Sequence, residues 1–294
     1  LETRQPLLEY SARGGTFDIM PVLQWDTAAL ELLRDPSGPA KASVALVNFL
    51  DRPSQTIDVK GYCLDASALA PLESQTFGIL SRRLTSQLKS RGLEACVRLP
   101  GGVSENFLII ANRFFDTVVV KSYQEHWIGS APQPLADKRW FEGHITNLKE
   151  HVSFDKLVVE LGTHSVDWVS GSPRPETLPF AKAMSALAQN DAFARLVPAG
   201  NTQATYLDAE GLQHQLWLLD AISAHNQILT LKKHGIQALS LSGLGYEDPG
   251  IWAVLDQVTR DINLSPAVLE NVLMSNYVAL TGSGPFVAPL SMPQ

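Results

Sequence analysis

The chain has 294 residues, 45% of them hydrophobic and 18% charged, enough apolar material for one large core or two smaller ones and too much for a disordered chain. A formal net charge of −7 argues against a nucleic-acid groove or an anionic membrane surface, because both need clustered Lys and Arg to displace counterions; a local basic patch stays open. No apolar run reaches the ~18 residues of a membrane span, and LETRQPLLEY has no basic segment leading into an apolar one, so an export signal is expected outside this chain if the parent protein has one.

In chain order, FDIMPVLQ (17–24) reads as a strand, and Asp26 is placed to cap a helix through TAALELLRD. Pro36 and Gly38 interrupt that pattern, AKASVALVNFL resumes it, and IDVKGYCLDA (57–66) returns to strand. A helical stretch from Leu72 to Arg91 precedes the strand LEACVRLP, a short helix around ENFLIIANRF and the strand FDTVVVKSY (115–123). WFEGHITNLKEHV then reads as helix, DKLVVELG (155–162) as strand, and LPFAKAMSALAQ as helix. LQHQLWLLDAISAHNQILTLKKHG reads as one long amphipathic helix. IQALSLSGL (236–244) is the last strand of the series, followed by a helix with Asp248 as N-cap and Pro249 at its first position.

Strands rich in Val, Ile and Leu, separated by helices, indicate parallel βαβ units with both sheet faces covered, hence a barrel or a doubly wound sheet. Residues 1–260 are expected to form that domain. After SPAVLENVLM, the segment NYVALTGSGPFVAPLSMPQ is strand-like without a following helix, so 261–294 is expected to be a C-terminal helix and β-rich tail or linker. Cys63 and Cys96, the two cysteines, sit among strand-like residues; two packed thiols are expected, with a disulfide between neighbouring strands as the alternative.

GYCLDAS (61–67) raises a question of its own, because an apolar strand here stops on a carboxylate and then a hydroxyl. In a parallel barrel, side chains two apart at a strand's C-terminal end point into the same mouth, which would put Cys63, Asp65 and Ser67 in the interior. At this point the sequence resembles the family 18 glycoside hydrolases, the chitinase-like TIM barrels. It is most similar to the bacterial branch in which such a barrel is joined to a polysaccharide deacetylase and sometimes a glycosyltransferase. In that branch the fourth strand ends in a pattern like G-x-x-x-D-x-E, here GYCLDAS. The sixth ends in YDEHW with a Pro-rich loop and a Trp-Phe helix, here YQEHWIGSAPQPLADKRWF (123–141). The seventh is matched by KLVVELGTHSVDW (156–168), a late segment by YLDAEGLQHQLWLLDAISAHNQ (206–227), and the eighth by LSGLGYEDPGIW (241–252). These matches, in order, cover roughly residues 17–255 and imply a (β/α)8-type TIM barrel. If FDIMPVLQ is the third barrel strand, sixteen residues precede it, too few for two βα units even with LLEYS (7–11) as one strand. A fragment, omitted loops and an open barrel all stay possible readings, so the barrel is written as incomplete at its N-terminus.

The family's reaction is substrate-assisted, and the resemblance assigns its parts. A Glu on the fourth strand protonates the glycosidic oxygen, while the Asp two residues earlier orients the N-acetyl group that attacks the anomeric carbon. Asp65 keeps the Asp, but Ser67 stands at the Glu position. A serine hydroxyl cannot replace it, since a proton donor works when its pKa lies near the working pH. Gln124 stands where the sixth-strand Asp steadies the acetamido group, and Ser242 where a Trp floors the reacting sugar. Three changes in one pocket imply a pseudoenzyme. Tyr123, Glu125, His126, Trp127, Trp168 and Trp217 remain as polar or aromatic groups suited to stack on pyranose rings and read hydroxyls.

Other signals are weaker. Gly243 and Gly245 open a dinucleotide-like pattern whose third glycine is Asp248, followed by Pro249, so no nucleotide cofactor is expected. The seven His show no H-x-x-H or H-E-x-x-H spacing, so no metal is expected; His144 and His151, two turns apart, read as an exposed helix face. Ser67 lacks a G-x-S-x-G elbow, which argues against a Ser-His-Asp triad. Asp220, Asn226 and Gln227 read as anchors for their helix or as ligand contacts. The leading expectation is a saccharide-binding or scaffold module in an extracytoplasmic bacterial polysaccharide-processing protein, with a fused or associated deacetylase or glycosyltransferase as partner. The alternatives are an active hydrolase of a β-linked glucosamine or N-acetylglucosamine polymer using Asp65 as acid, and a spacer that binds no sugar.

Overall fold

Apolar runs bounded by Gly, Pro or Asp become the strands of the structure, a computed structural model that describes residues 18–25, 30–31, 33, 35, 37–50, 59–69 and 74–259. The strand at 7–11, the Asp26 cap, the helix in SPAVLENVLM and the strand-like tail lie outside the described residues. The chain divides into two units, Leu1–Val119 with His151–Lys156 and Val120–Glu150 with Leu157–Gln294, and the boundary falls within one strand.

The first unit alternates strand and helix: β1 (Val22–Leu23), α1 (Gly38–Leu50), β2 (Gly61–Asp65), a 3-10 turn (Ser67–Leu69), α2 (Ser74–Lys89), β3 (Glu94–Leu99), α3 (Glu105–Phe114) and the start of β4 (Thr117–Lys121). Its strands lie side by side in the order β1-β2-β3-β4, with β1 and β3 parallel to β2. The helical stripes expected from the sequence are the buried ones. Phe77, Leu80, Leu84 and Leu88 of α2 and Phe107, Leu108 and Ala111 of α3 face inward, and the Phe77 and Phe107 rings stack at 4.4 Å. Each fully buried Phe or Leu of this kind is worth about 1.5–3 kcal/mol of transfer free energy. Register also corrects the cysteine reading. Cys63 lies directly opposite Cys96 on adjacent parallel strands, and the two are joined in a disulfide rather than packed as thiols.

The second unit holds the end of β4, then α4 (Lys138–His151), β5 (Leu157–Gly162), β6 (Ser165–Val169), β7 (Glu176–Leu178), α5 (Phe180–Gln189), β8 (Arg195–Leu196), β9 (Thr202–Leu207), β10 (Gln213–Leu218), α6 (Ala221–Lys233), β11 (Leu239–Ser242) and α7 (Gly250–Thr259). Here β4, β5 and β11 are neighbours in that order, with β11 parallel to β5. A five-stranded sheet, β7-β6-β10-β9-β8, is antiparallel wherever its strands pair. No purely parallel reading foresees it. The expected single helix over 212–235 is two elements: LQHQLWL alternates as β10, and the chain then turns at Leu219 and Asp220 into α6. Asp220 caps α6, its Oδ1 accepting from the Ser223 backbone N–H at 2.9 Å. A short apolar run fits either period, and pairing with β6 and β9 decides for strand.

One face of this sheet, through Ala204, Tyr206, Leu216 and Leu218, packs on Phe180, Ala183, Met184 and Leu187 of α5. Asp248 begins the last helix as expected and also ties it to α6: its Oδ1 accepts from Gly250 N–H at 2.8 Å and its Oδ2 from Ala221 N–H at 2.9 Å. Among the described residues, no helix is long and apolar enough to cross a membrane, and no three His, Cys, Asp or Glu gather as a metal site.

Candidate functional site

In the first unit, β2 stops at Asp65 and the alternation does not run through to Ser67. The Asp65 Oδ1 accepts from the Ser67 backbone N–H at 2.9 Å, bending the chain into the 3-10 turn, and its Oδ2 accepts from Arg98 Nη1 at 3.0 Å. Arg98 lies opposite Asp65 in the parallel register. The pair is largely sheltered, with side chains 12% and 21% exposed, so it is a charge-assisted bond screened less than a surface one. The Ser67 hydroxyl is buried and makes no hydrogen bond in the protein. Of the expected trio, Cys63 is in the disulfide, Asp65 is held by a guanidinium, and Ser67 belongs to the turn.

In the second unit, the end of β4 delivers Tyr123 into a polar cluster. Its hydroxyl donates to Glu160 Oε1 of β5 at 3.1 Å and shares a hydrogen bond with Ser242 Oγ of β11 at 3.2 Å. Glu160 is a buried carboxylate inside the apolar run KLVVELG and is not among the site residues expected from the sequence. A charge interrupting a strand covered on both faces was the signal available, and the same holds for Arg98 in CVRLP. Space for the Tyr123 ring depends on Gly162, where a Cβ would stand 2.5 Å from Leu219 Cδ1 and 2.9 Å from Tyr123 Cδ1.

One histidine touches this cluster and a second packs on Trp168. The His164 ring meets Tyr123 edge-on at 5.1 Å, and His126 meets Trp168 edge-on at 4.7 Å. Burial pushes the pKa of His164 down to about 4, and burial together with the field of His164 does the same to His126, so both are neutral at pH 7. Neither His126 ring nitrogen finds a partner in the protein, nor does the buried Ser130 hydroxyl. Trp168 donates its indole N–H to the Ser130 carbonyl at 2.9 Å. Trp168 of β6 pairs with Gln215 and Trp217 with Val166, so the two Trp are diagonal neighbours on the sheet face opposite the one covered by α5. The Trp217 indole N–H is buried without a partner. Neutral imidazoles, an indole donor and hydroxyls suit an uncharged, hydroxyl-rich ligand better than an ion.

The other expected residues lie differently. Gln124 is half-buried, and its backbone N–H donates to the Leu135 carbonyl at 2.6 Å. Glu125 is exposed and pairs with Lys121 at 2.9 Å, and Trp127 is 67% exposed. His144 corrects the exposed-face reading: it is half-buried, stacks on Trp140, bonds to Ser122 Oγ at 3.2 Å, and has its pKa lowered to about 4 by burial. The same unit holds a second titratable group unforeseen from sequence. His214 Nδ1 lies 2.7 Å from Asp167 Oδ2 and its Nε2 3.2 Å from Asp208 Oδ2, with the Tyr206 ring stacked over the imidazole at 4.5 Å. Burial pulls the His214 pKa down, but the two carboxylates outweigh it and leave it above the ordinary histidine value.

No protein-family model matches the chain. It is similar to the cortical fragment-lytic enzyme of Bacillus anthracis, 25% identical over 211 residues that cover 65% of this chain and 47% of that protein. The chain thus spans about half the length of that relative. Among solved structures, the chitinase of Chromobacterium violaceum ATCC 12472 superposes with a TM-score of 0.70 at 21% identity, covering 85% of this chain and 82% of that one. The spore cortex-lytic enzyme SleL of Bacillus cereus also gives 0.70, at 18% identity, covering 88% of this chain and 63% of that one. These likenesses establish a chitinase-like, TIM-type α/β fold.

Proposed function

We propose that this chain is a chitinase-like module that binds a β-linked glucosamine or N-acetylglucosamine polysaccharide and does not hydrolyse it. Supporting a saccharide ligand are the chitinase-like fold, the likeness to enzymes named as cortex-lytic, and the neutral His, Trp and hydroxyl groups of the second unit. The observation that carries the loss of hydrolysis is Ser67 at the position the resemblance gives to the acid, its hydroxyl buried and unengaged. Asp65 is a poor substitute acid, since both its oxygens already accept hydrogen bonds, one from a guanidinium. By the family resemblance, Gln124 and Ser242 also count against hydrolysis, because an amide and a small hydroxyl stand where groups that orient the acetamide and floor the sugar are expected.

The module belongs, on this reading, to an extracytoplasmic bacterial protein in which a fused or associated deacetylase or glycosyltransferase performs the chemistry. The Cys63–Cys96 disulfide fits an oxidising compartment. Chitin oligomers and partly deacetylated glucosamine oligomers are expected to perturb Trp fluorescence with millimolar to micromolar affinity, about 4 to 8 kcal/mol, while cellulose oligomers do not. Titrations flat for both glucosamine series would favour a spacer. Hydrolysis of chitin oligomers by the unmodified chain is expected to be undetectable, with Ser67→Glu restoring little and the triple change Ser67→Glu, Gln124→Asp, Ser242→Trp restoring more. Turnover by the unmodified chain that Asp65→Asn abolishes would establish an active hydrolase instead.

A further inference from the structure

The outward flanks of α2 and α3, beyond their buried stripes, line a shallow, open groove of about 480 Å³ in the first unit. Its walls are aliphatic and cationic. Ile79 of α2 is 43% exposed and Ile109 of α3 51%, beside Arg82 and Arg113. Among the described residues no carboxylate pairs with either Arg, and the Arg113 guanidinium lies 5.3 Å over the Phe114 ring. Both guanidiniums flank the exposed isoleucines, which sets a cationic rim beside an aliphatic wall. Gly78 adds an independent sign. It sits inside α2, where Gly costs helix stability relative to Ala, yet a Cβ there would meet only Ile110 Cδ1 at an ordinary 3.7 Å. Packing within the fold does not demand this glycine; its effect is to deepen the groove.

We propose that this groove docks an amphipathic, acidic helical segment of a partner polypeptide. Aliphatic walls favour apolar side chains over a sugar ring, which prefers a flat aromatic face, and the Phe114 ring is taken by Arg113. Guanidiniums select carboxylates, which they bind in a fork geometry. From Gln75 to Arg82 and from Asn106 to Arg113 each helix advances seven residues, roughly 10 Å, or two turns of a docked helix. The occupant therefore presents apolar residues at i and i+3 or i+4 to the isoleucines and Asp or Glu to the Arg end.

The test uses the whole chain and a labelled peptide of about 16 residues with Leu at i, i+3, i+4 and i+7 and Glu on the flanks. Its Lys-for-Glu counterpart and a scrambled peptide are the controls, with fluorescence anisotropy as readout. The acidic peptide is expected to bind saturably in the micromolar range. The double reversal Arg82→Glu with Arg113→Glu should weaken it about tenfold or more and turn the preference toward the Lys peptide. Gly78→Met should fill the groove and abolish binding of both peptides, with the thermal melt unchanged or raised. Equal binding of acidic and basic peptides, binding indifferent to both sets of substitutions, or no saturable binding would each overturn the proposal. So would a concentration-dependent dimer dissolved by these substitutions, which would assign the groove to a second copy of the chain.

Discussion

Replacing His214 with Gln tests how the antiparallel sheet holds its carboxylates. Asp167 is 5% exposed and its Oδ1 has no hydrogen-bond partner, so the 2.7 Å contact with His214 is the short one its Oδ2 makes, the Tyr206 hydroxyl being 3.5 Å away. Removing one partner of a fully buried ion pair costs about 3–5 kcal/mol. The His214 side chain is 13% exposed, so solvent recovers part of that and a loss of about 2–3 kcal/mol is expected. For a chain of this size that is a melting shift of roughly 4 to 12 °C. Because the folded pKa of His214 is raised, its contribution is fully present below the unfolded value near 6.5 and is lost as pH rises through the folded one. The gap between wild type and His214→Gln should therefore be widest near pH 6 and narrow toward pH 9. Urea unfolding followed by Trp fluorescence at several pH values reads it directly. Adding Asp167→Asn should recover part of the loss, giving a coupling energy from the double-mutant cycle. A gap that is absent, or that widens with rising pH, would refute the ion-pair account.

Three other outcomes follow from the geometry. Reducing Cys63–Cys96, which closes a sequence separation of 33 residues, should cost about 3–4 kcal/mol in the chain-entropy account; an identical melt with and without reductant would contradict it. Gly162→Ala forces a methyl group into Leu219 and Tyr123, so a loss of about 1–3 kcal/mol is expected together with a diminished fluorescence response to glucosamine oligomers. A normal melt with full response would show that Tyr123 does not depend on that space. His126, His144 and His164 have folded pKa values depressed to about 4 by burial, so the unfolded chain binds more protons and stability should fall as pH drops from about 6.5 toward 4. Urea midpoints across that window should decline less steeply in His144→Gln; parallel slopes would mean that His144 is not held neutral.

The sequence by itself determined the elements whose period is unambiguous. Parallel strands covered on both faces, such as EACVRL and TVVVK, are near-continuous apolar runs, and α2 and α3 carry wide stripes, so burial on folding was already written in the order of residue types. It also marked Tyr123, Trp168 and Ser67 through the motifs they sit in. The tertiary structure alone decided register and partner. LQHQLWL satisfies a helical stripe and a strand alternation equally well, and only pairing with β6 and β9 makes it β10. That pairing sets His214 against Asp167, residues 47 positions apart. In the same way, register puts Arg98 on Asp65 and Cys96 against Cys63, and the adjacency of β4, β5 and β11 brings Tyr123 to Glu160 and Ser242. Local period reports which face of an element is buried; it carries no information about which distant side chain will be found there, because that is fixed by hydrogen-bond ladders between segments far apart in the chain.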